Sequence, residues 1–449
     1  MHFFQLLARP FVIFVERYYP DPFVFVVLLS VLTFLLSMVL ADATPAGALS
    51  AWGDGLPSLL AFTAQICITL LTAHALAHTD KVQTLLKRIG NIPDSAAGAY
   101  ALVAFCAGIG SLIAWSLGLI AGATVAREVA RQAVARGIRI HYPLLVASAY
   151  GGFVIWHMGY SSSAGLFVAT PGHLLESEIG IIPITETVFT LHNGLLAFIT
   201  LAIITVVCPL MRPREQDIIE IHPVLLEDHV EETGSTPGHG TFAQYLDSMR
   251  GLTLILGAGL FAYIGYSFYA KGFHLNLNLV NWSFLGAGLL LARSPSHYVK
   301  LINNASSTIG PVLIQYPFYA GILGMMQGTG LAGIISDWFT SIATPETLSF
   351  FAFLCAGLVN MFIPSGGGQW AVQGPIFIEA AQNLGVDPSI IVLAISYGDQ
   401  WTNMIQPFWT IPLLAIAGLH MRQIMGYTFV IFLLTLFLFG GGLLLWGAG

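Results

Sequence analysis

The sequence predicts an all-α polytopic membrane protein with two inverted-topology repeats, each holding a re-entrant hairpin and a broken transmembrane helix. Three observations lead there. Hydrophobic residues make up 56% of the 449 and charged residues 9%, against about 25% charged in soluble domains. Apolar segments of spanning length recur from end to end. Four of them are interrupted by polar or glycine-rich sequence: Ala114-Trp-Ser-Leu-Gly118, Trp156-His-Met-Gly-Tyr-Ser-Ser-Ser163, Pro364-Ser-Gly-Gly-Gly368 and Asp399–Pro407. In a bilayer the backbone freed by such breaks must be buried in protein or line a cavity.

Composition also excludes several classes. The net charge of −7 comes mostly from acids in loops, and no basic patch is interleaved with aromatics, so nucleic acid is not a partner. Cys67, Cys106, Cys208 and Cys355 lie in apolar segments without CxxC spacing and read as small buried hydrophobes. No nucleophile constellation, Walker loop or HExxH motif is present, so an enzyme is not expected.

Residues 2–19 mix apolar residues with Arg9, Glu16 and Arg17, as an interfacial amphipathic helix does. Arg9 and Arg17, the apolar run from Phe23 and Ala41-Asp-Ala43 imitate a signal peptide. The run is long enough to span and many spans follow, so it reads as the first crossing, about 23–41. The second crossing is about 56–79. A hairpin at about 96–140 ends in Arg127, Arg131, Arg136 and Arg139. A broken helix occupies about 143–170 and another crossing about 188–211. Residues 212–250 are a polar cytoplasmic linker containing Gly234-Ser-Thr-Pro-Gly-His-Gly240. A connecting helix follows at 251–270, then crossings at about 279–292 and 308–330. The second hairpin is at about 347–385, the second broken helix at about 389–417, and the last crossing at about 424–446.

This makes about nine crossings and two hairpins. With the N-terminus inside and both hairpins returning to their own side, 15 of the 16 Lys and Arg residues fall in cytoplasmic segments, Lys271 alone outside. The C-terminus is then outside. An internal repeat agrees: Trp115 precedes Asn360 by 245 residues and Tyr150 precedes Tyr397 by 247. The repeats are taken as 1–211 and 279–449. Inverted repeats with hairpins and broken helices describe a secondary transporter whose site lies near the midplane at the repeat interface.

The candidate site follows. Half-helix N-termini present free N–H groups and a positive dipole end, so an anion is held there without Lys or Arg. In the second repeat the candidates are Asn360, Ser365, Gly366, Gly367, Gly368, Gln369, Trp370, Trp401, Asn403 and Gln406. In the first they are Trp115, Ser116, Gly118, Ser161, Ser162 and Ser163. The glycines read either as a close approach to substrate or as turn and packing residues, and the serines either as ligands or as partners for freed carbonyls. Trp115, Trp156, Trp370, Trp401 and Trp409 gather around the breaks as walls of a small apolar pocket. Asp399 is the coupling candidate, since ionisable groups inside membrane segments usually mark ion or proton paths. It either ligates Na⁺, carries a proton or caps a half-helix. His157 is a second proton candidate. His74 and His78 are one turn apart with no third ligand nearby, so they are not taken as a metal site.

Pro364-Ser-Gly-Gly-Gly-Gln-Trp370 and Tyr397-Gly-Asp-Gln-Trp-Thr-Asn-Met-Ile-Gln-Pro-Phe-Trp409 resemble the bacterial short-chain fatty acid transporter family. So do Trp52-Gly-Asp-Gly55, Ala126-Arg-Glu-Val129, Tyr142-Pro143, Ala169-Thr-Pro-Gly172 and Gln315-Tyr-Pro-Phe-Tyr-Ala-Gly321. The resemblance spans nearly the whole chain. It implies uptake of short-chain fatty acids such as butyrate or acetoacetate across the bacterial inner membrane. It also implies membership of the wider ion-transporter superfamily, whose better-known members are homodimers with a scaffold and an elevator-like transport domain. The expected function is cation-coupled symport of a small monocarboxylate, with Na⁺ or H⁺ as coupling ion and no other cofactor. A dicarboxylate transporter or Na⁺/H⁺ antiporter on the same scaffold, a passive channel and a sensor are the alternatives.

Overall fold

The computed structural model describes residues 20–226 and 241–446. The interfacial helix expected at 2–19, and residues 227–240 of the linker, lie outside the described residues. Every regular element among the described residues is helical.

The described residues form 21 α-helices: the short Glu176–Ile179 and Phe242–Ser248, and nineteen others that fall nine before and nine after one connector. The first series is α1 (Pro22–Leu40), α2 (Pro45–Gly55), α3 (Leu60–Ala77), α4 (Asp80–Gly90), α5 (Ala96–Ile113), α6 (Trp115–Ala135), α7 (Tyr142–Gly152), α8 (Ser163–Val168) and α9 (Leu191–Leu210). The connector is α10 (Arg250–Lys271). The second series is α11 (Leu277–Leu291), α12 (Pro295–Ala305), α13 (Gly310–Gly328), α14 (Leu331–Ile342), α15 (Pro345–Asn360), α16 (Gly366–Leu384), α17 (Pro388–Thr402), α18 (Thr410–Ala417) and α19 (Met421–Trp446). Helix starts in the two series keep a near-constant spacing: Pro45 to Pro295 and Leu60 to Gly310 are 250 residues apart, Trp115 to Gly366 is 251.

Local chemistry sets many of these boundaries. Asp21, Thr44, Ser95, Thr190, Ser365 and Asp387 each accept a backbone N–H of the helix they precede. Proline begins α1, α2, α12, α15 and α17, where its missing N–H costs nothing.

Among the described residues six helices are long and apolar enough to cross a membrane: α1, α3, α5, α9, α10 and α19. There are seven if α12 and α13, bent by 56°, form one span. The nine expected crossings are therefore not nine long helices. The spans expected at 143–170 and 389–417 are runs of shorter segments, and that at 279–292 is the 15-residue α11. Nor does length separate hairpin arms from crossings, since α5 lies inside the expected hairpin. The break expected at Ala114–Gly118 narrows to Ala114 alone, in extended backbone; Trp115 already opens α6.

Small residues bring the inner helices together, as in membrane helix packing generally. Gly152 of α7 meets Gly108 of α5 so closely that a Cβ on it would stand 2.5 Å from the Gly108 nitrogen. In the second series Gly398 of α17 presses on the Phe353 carbonyl and Gly357 of α15. The linker segment before residue 227 is docked. Ile219 N–H donates to His141 Nδ1 (3.0 Å), Tyr142 N–H donates to the Ile219 carbonyl (2.8 Å), and Arg127 Nε donates to the Leu225 carbonyl (2.8 Å).

Candidate functional site

The two broken segments meet. α7 runs into a 3₁₀ turn, Phe153–Met158, and non-helical chain follows to Ser162. α17 ends at Thr402, and residues 403–409 lead into α18. Where they face each other, His157 Nε2 lies 3.2 Å from Asp399 Oδ2, both side chains being 1% exposed. It is the one fully buried ion-pair geometry among the described residues. Gln400 Oε1 accepts the His157 backbone N–H (3.0 Å), and Ser162 Oγ lies 3.5 Å from His157 Nδ1. Asn403 Nδ2 donates to Asp399 Oδ1 (2.7 Å) and to its carbonyl (2.5 Å), and Asn360 Nδ2 donates to the same carbonyl (2.9 Å) and to Thr402 Oγ1 (2.9 Å). Tyr150 OH donates to the Asn403 carbonyl (2.6 Å). A capping carboxylate would stand at a helix start. Asp399 stands in the last turn of α17, with a histidine from the other half of the chain.

The Gly366–Gly368 turn touches this pair. A Cβ on Gly366 would stand 2.6 Å from His157 Cε1 and Nε2; one on Gly367 would strike the Phe62 ring, and one on Gly368 would stand 2.5 Å from Tyr319. In this conformation protein side chains fill the space beside all three glycines. Ser365 Oγ caps the turn by accepting the Gly368 N–H (3.4 Å) and lies 2.7 Å from Tyr316 OH. Gln369 donates to the Ala356 carbonyl (2.8 Å) and Gln373 Oε1 (3.0 Å).

An aromatic group adjoins His157. The Trp115 ring centroid is 4.9 Å from that of Trp409 and 6.5 Å from that of Trp156; Phe153 stacks on Trp156 at 5.8 Å, and the Trp156 and His157 centroids are 3.6 Å apart. Ser116 Oγ and the indole N–H groups of Trp156 and Trp409 are buried without a hydrogen-bond partner among the described residues, as is Gln400 Nε2. Buried unpaired donors are costly, and all four suit an incoming carboxylate.

The other candidates are less central. Ser161 Oγ accepts the Trp115 N–H (3.0 Å), closing the Ala114 break, and Ser163 opens α8. Gly118 is packed against Ser111 of α5. Trp401 stacks on Phe432 of α19 at 4.6 Å and donates its indole N–H to the Phe432 carbonyl (2.8 Å), away from the other tryptophans. Trp370 is buried against Gly374 of its own helix, and Gln406 is buried in the second break. Sequence reasoning missed Gln400, Phe153, Tyr150 and Tyr316. Only Gln400 carried a signal, as a polar neighbour of Asp399.

Two discontinuous helical segments meeting at a buried polar pair define a membrane transporter of the broken-helix class. The chain belongs to the short-chain fatty acid transporter family: the family model described as "Short chain fatty acid transporter" matches residues 3–446. A relative from Escherichia coli (strain K12), provisionally named a short-chain fatty acid transporter, is 41% identical over 431 residues, 95% of each chain. One from Haemophilus influenzae with the same provisional name is 38% identical over 446 residues, 97% of this chain and 98% of its own. The relatives are thus named as transporters and not as enzymes. Among solved structures, the fold is similar to the Alcanivorax borkumensis YdaH transporter (TM-score 0.59, 16% identity, 95% of this chain and 98% of that one). It is also similar to Neisseria gonorrhoeae MtrF, described as illuminating a class of antimetabolite efflux pumps (TM-score 0.55, 15% identity, 98% and 97%).

Proposed function

We propose that the protein is a secondary active, cation-coupled symporter of short-chain monocarboxylates such as butyrate or acetoacetate, in the bacterial inner membrane. The carrying observation is the set of buried unpaired donors, the Trp156 and Trp409 indoles and Gln400 Nε2, beside His157 and Asp399, with the Ser116 hydroxyl next in sequence to Trp115 of the same cluster. A carboxylate satisfies donors of this kind, and the tryptophan faces take a short apolar tail. α5–α8 and α15–α18 are proposed as the moving domain of an elevator, with two re-entrant hairpins in inverted repeats. The remaining helices are the scaffold of a homodimer, with the N-terminus inside.

Uptake of labelled acetoacetate and butyrate into proteoliposomes tests this. Undissociated butyric acid crosses lipid unaided, so protein-free vesicles set the baseline. Saturable uptake above that baseline, driven by a Na⁺ or proton gradient, is expected. Trp409→Phe, which keeps an aromatic ring and loses the N–H, should raise KM by roughly 5- to 30-fold, as loss of about 1–2 kcal/mol does. No saturable uptake under either gradient would rule the function out. Competition by succinate would point to a dicarboxylate carrier, substrate-free proton flux to an antiporter, and equilibration without accumulation to a channel. Net export from loaded vesicles would reverse the proposed direction.

A further inference from the structure

We propose that the His157–Asp399 pair is a proton site, and that the cation Asp399 carries with the monocarboxylate is H⁺ and not Na⁺. This rests on the transporter function proposed above.

The donor set argues first. Na⁺ in a protein is held by converging oxygens. Both Asp399 carboxylate oxygens already face nitrogen: Oδ1 accepts from Asn403 Nδ2, and Oδ2 faces His157 Nε2. The Asp399 carbonyl accepts from Asn403 and Asn360. A cation on this carboxylate would meet the positive ends of N–H dipoles, and it would have to displace the imidazole. A proton needs no new space. It joins the pair as a histidinium beside a carboxylate, or as neutral imidazole beside a carboxylic acid; either way the pair changes from −1 to 0.

Charge argues second. The other ionisable side chains brought to the pair are hydroxyls with partners: Tyr150 on Asn403, Tyr397 on Asn193 and Tyr316 on Ser365. Helices α5 and α8 carry no Asp, Glu, Lys or Arg. The charges of α6 begin at Arg127, just past its middle and about three turns from Trp115. Those of α15, α16 and α19 are Glu346, Glu379 and Arg422, α7 and α9 carry none, and α17 carries Asp399 alone; His192 and Asp387 stand at or before helix starts. Among the described residues, no Lys or Arg pairs with Asp399. Bringing in a substrate carboxylate would place two negative charges in one low-dielectric site, which is strongly unfavourable. With one proton on the pair, the loaded site carries −1, the same as the empty deprotonated site. Substrate and proton must then travel together.

Position argues third. His157 touches Trp156 and Gly366, the first residue of α16, and these two also neighbour each other. Protonation of the imidazole is thus felt directly by both parts of the substrate site. Two amide oxygens nearby, Asn360 Oδ1 and Asn403 Oδ1, have no partner. Na⁺ bound to them is the competing outcome.

The test uses the full-length protein in proteoliposomes with acetoacetate. An inward gradient of one pH unit, without Na⁺, is expected to support about tenfold accumulation, as one proton per monocarboxylate requires. Asp399→Asn and His157→Gln should bring that ratio to about one, and Asp399→Glu should recover part of it with a displaced pH profile. Variants are compared only when they elute as folded protein on gel filtration. Accumulation that follows Na⁺ and ignores the pH gradient would overturn the proton assignment while leaving the transporter function standing. Absence of any saturable monocarboxylate transport would instead remove that function. Infrared difference spectra of purified protein between two pH values need no substrate: carboxyl or imidazole bands that vanish in Asp399→Asn are expected, and spectra identical in the variant would overturn the proton site by themselves.

Discussion

Gly366→Ala is the sharpest probe of the site, because it adds one methyl group and removes nothing. The new Cβ would stand 2.6 Å from His157 Cε1 and Nε2 and 3.0 Å from Trp156. Carbon contacts settle at about 3.5–4.0 Å, so the imidazole must retreat by about 1 Å or the start of α16 must move. Retreat of the imidazole lengthens the 3.2 Å contact with Asp399 beyond hydrogen-bonding distance, and movement of α16 displaces the glycine turn from the pair. Overpacking of this kind costs about 1–3 kcal/mol, which is about 5- to 150-fold in the population of the competent arrangement. Transport of acetoacetate should fall by about 5- to 150-fold with the protein still folded. Gly194→Ala is the control, because nothing lies within 4 Å of its Cβ position. Wild-type rate and pH profile in Gly366→Ala, or an equal loss in Gly194→Ala, would refute the placement of Gly366 against a functional imidazole.

Two further outcomes are expected. Burial lowers the pKa of His141, just ahead of α7, to about 4; because the unfolded chain protonates near the ordinary value of 6.5 and the folded one does not, stability should decline as pH falls from about 6.5 to 4, by at most about 1.4 kcal/mol per unit. Thermal unfolding in detergent across that range should show the loss, and His141→Gln should make it smaller. Asn193 Nδ2 donates to the carbonyls of Val188 (2.6 Å) and Met158 (3.2 Å), while its Oδ1 accepts from Tyr397 OH (2.7 Å). Asn193→Ala leaves those buried groups unpaired and should cost about 2–3 kcal/mol, against about 1 kcal/mol for Tyr397→Phe; equal unfolding temperatures for the two variants would contradict this.

By itself the sequence determined the class, the family and the places where helices break. Composition, hydropathy and polar interruptions are local properties, and a bilayer permits few solutions for them. Asp399, Asn360 and the Ser365–Gly368 turn stood out for that reason: they are anomalous where they stand in the chain. Tertiary structure decided what each anomaly faces. His157 and Asp399 are 242 residues apart, and no local pattern records that they touch. The same holds for the glycine run, whose three open faces turned out to receive His157, Phe62 and Tyr319, and for the tryptophans, of which Trp115, Trp156 and Trp409 cluster while Trp401 turns to α19. A break in a helix marks where a site is possible; which groups fill it depends on how two distant halves of the chain pack.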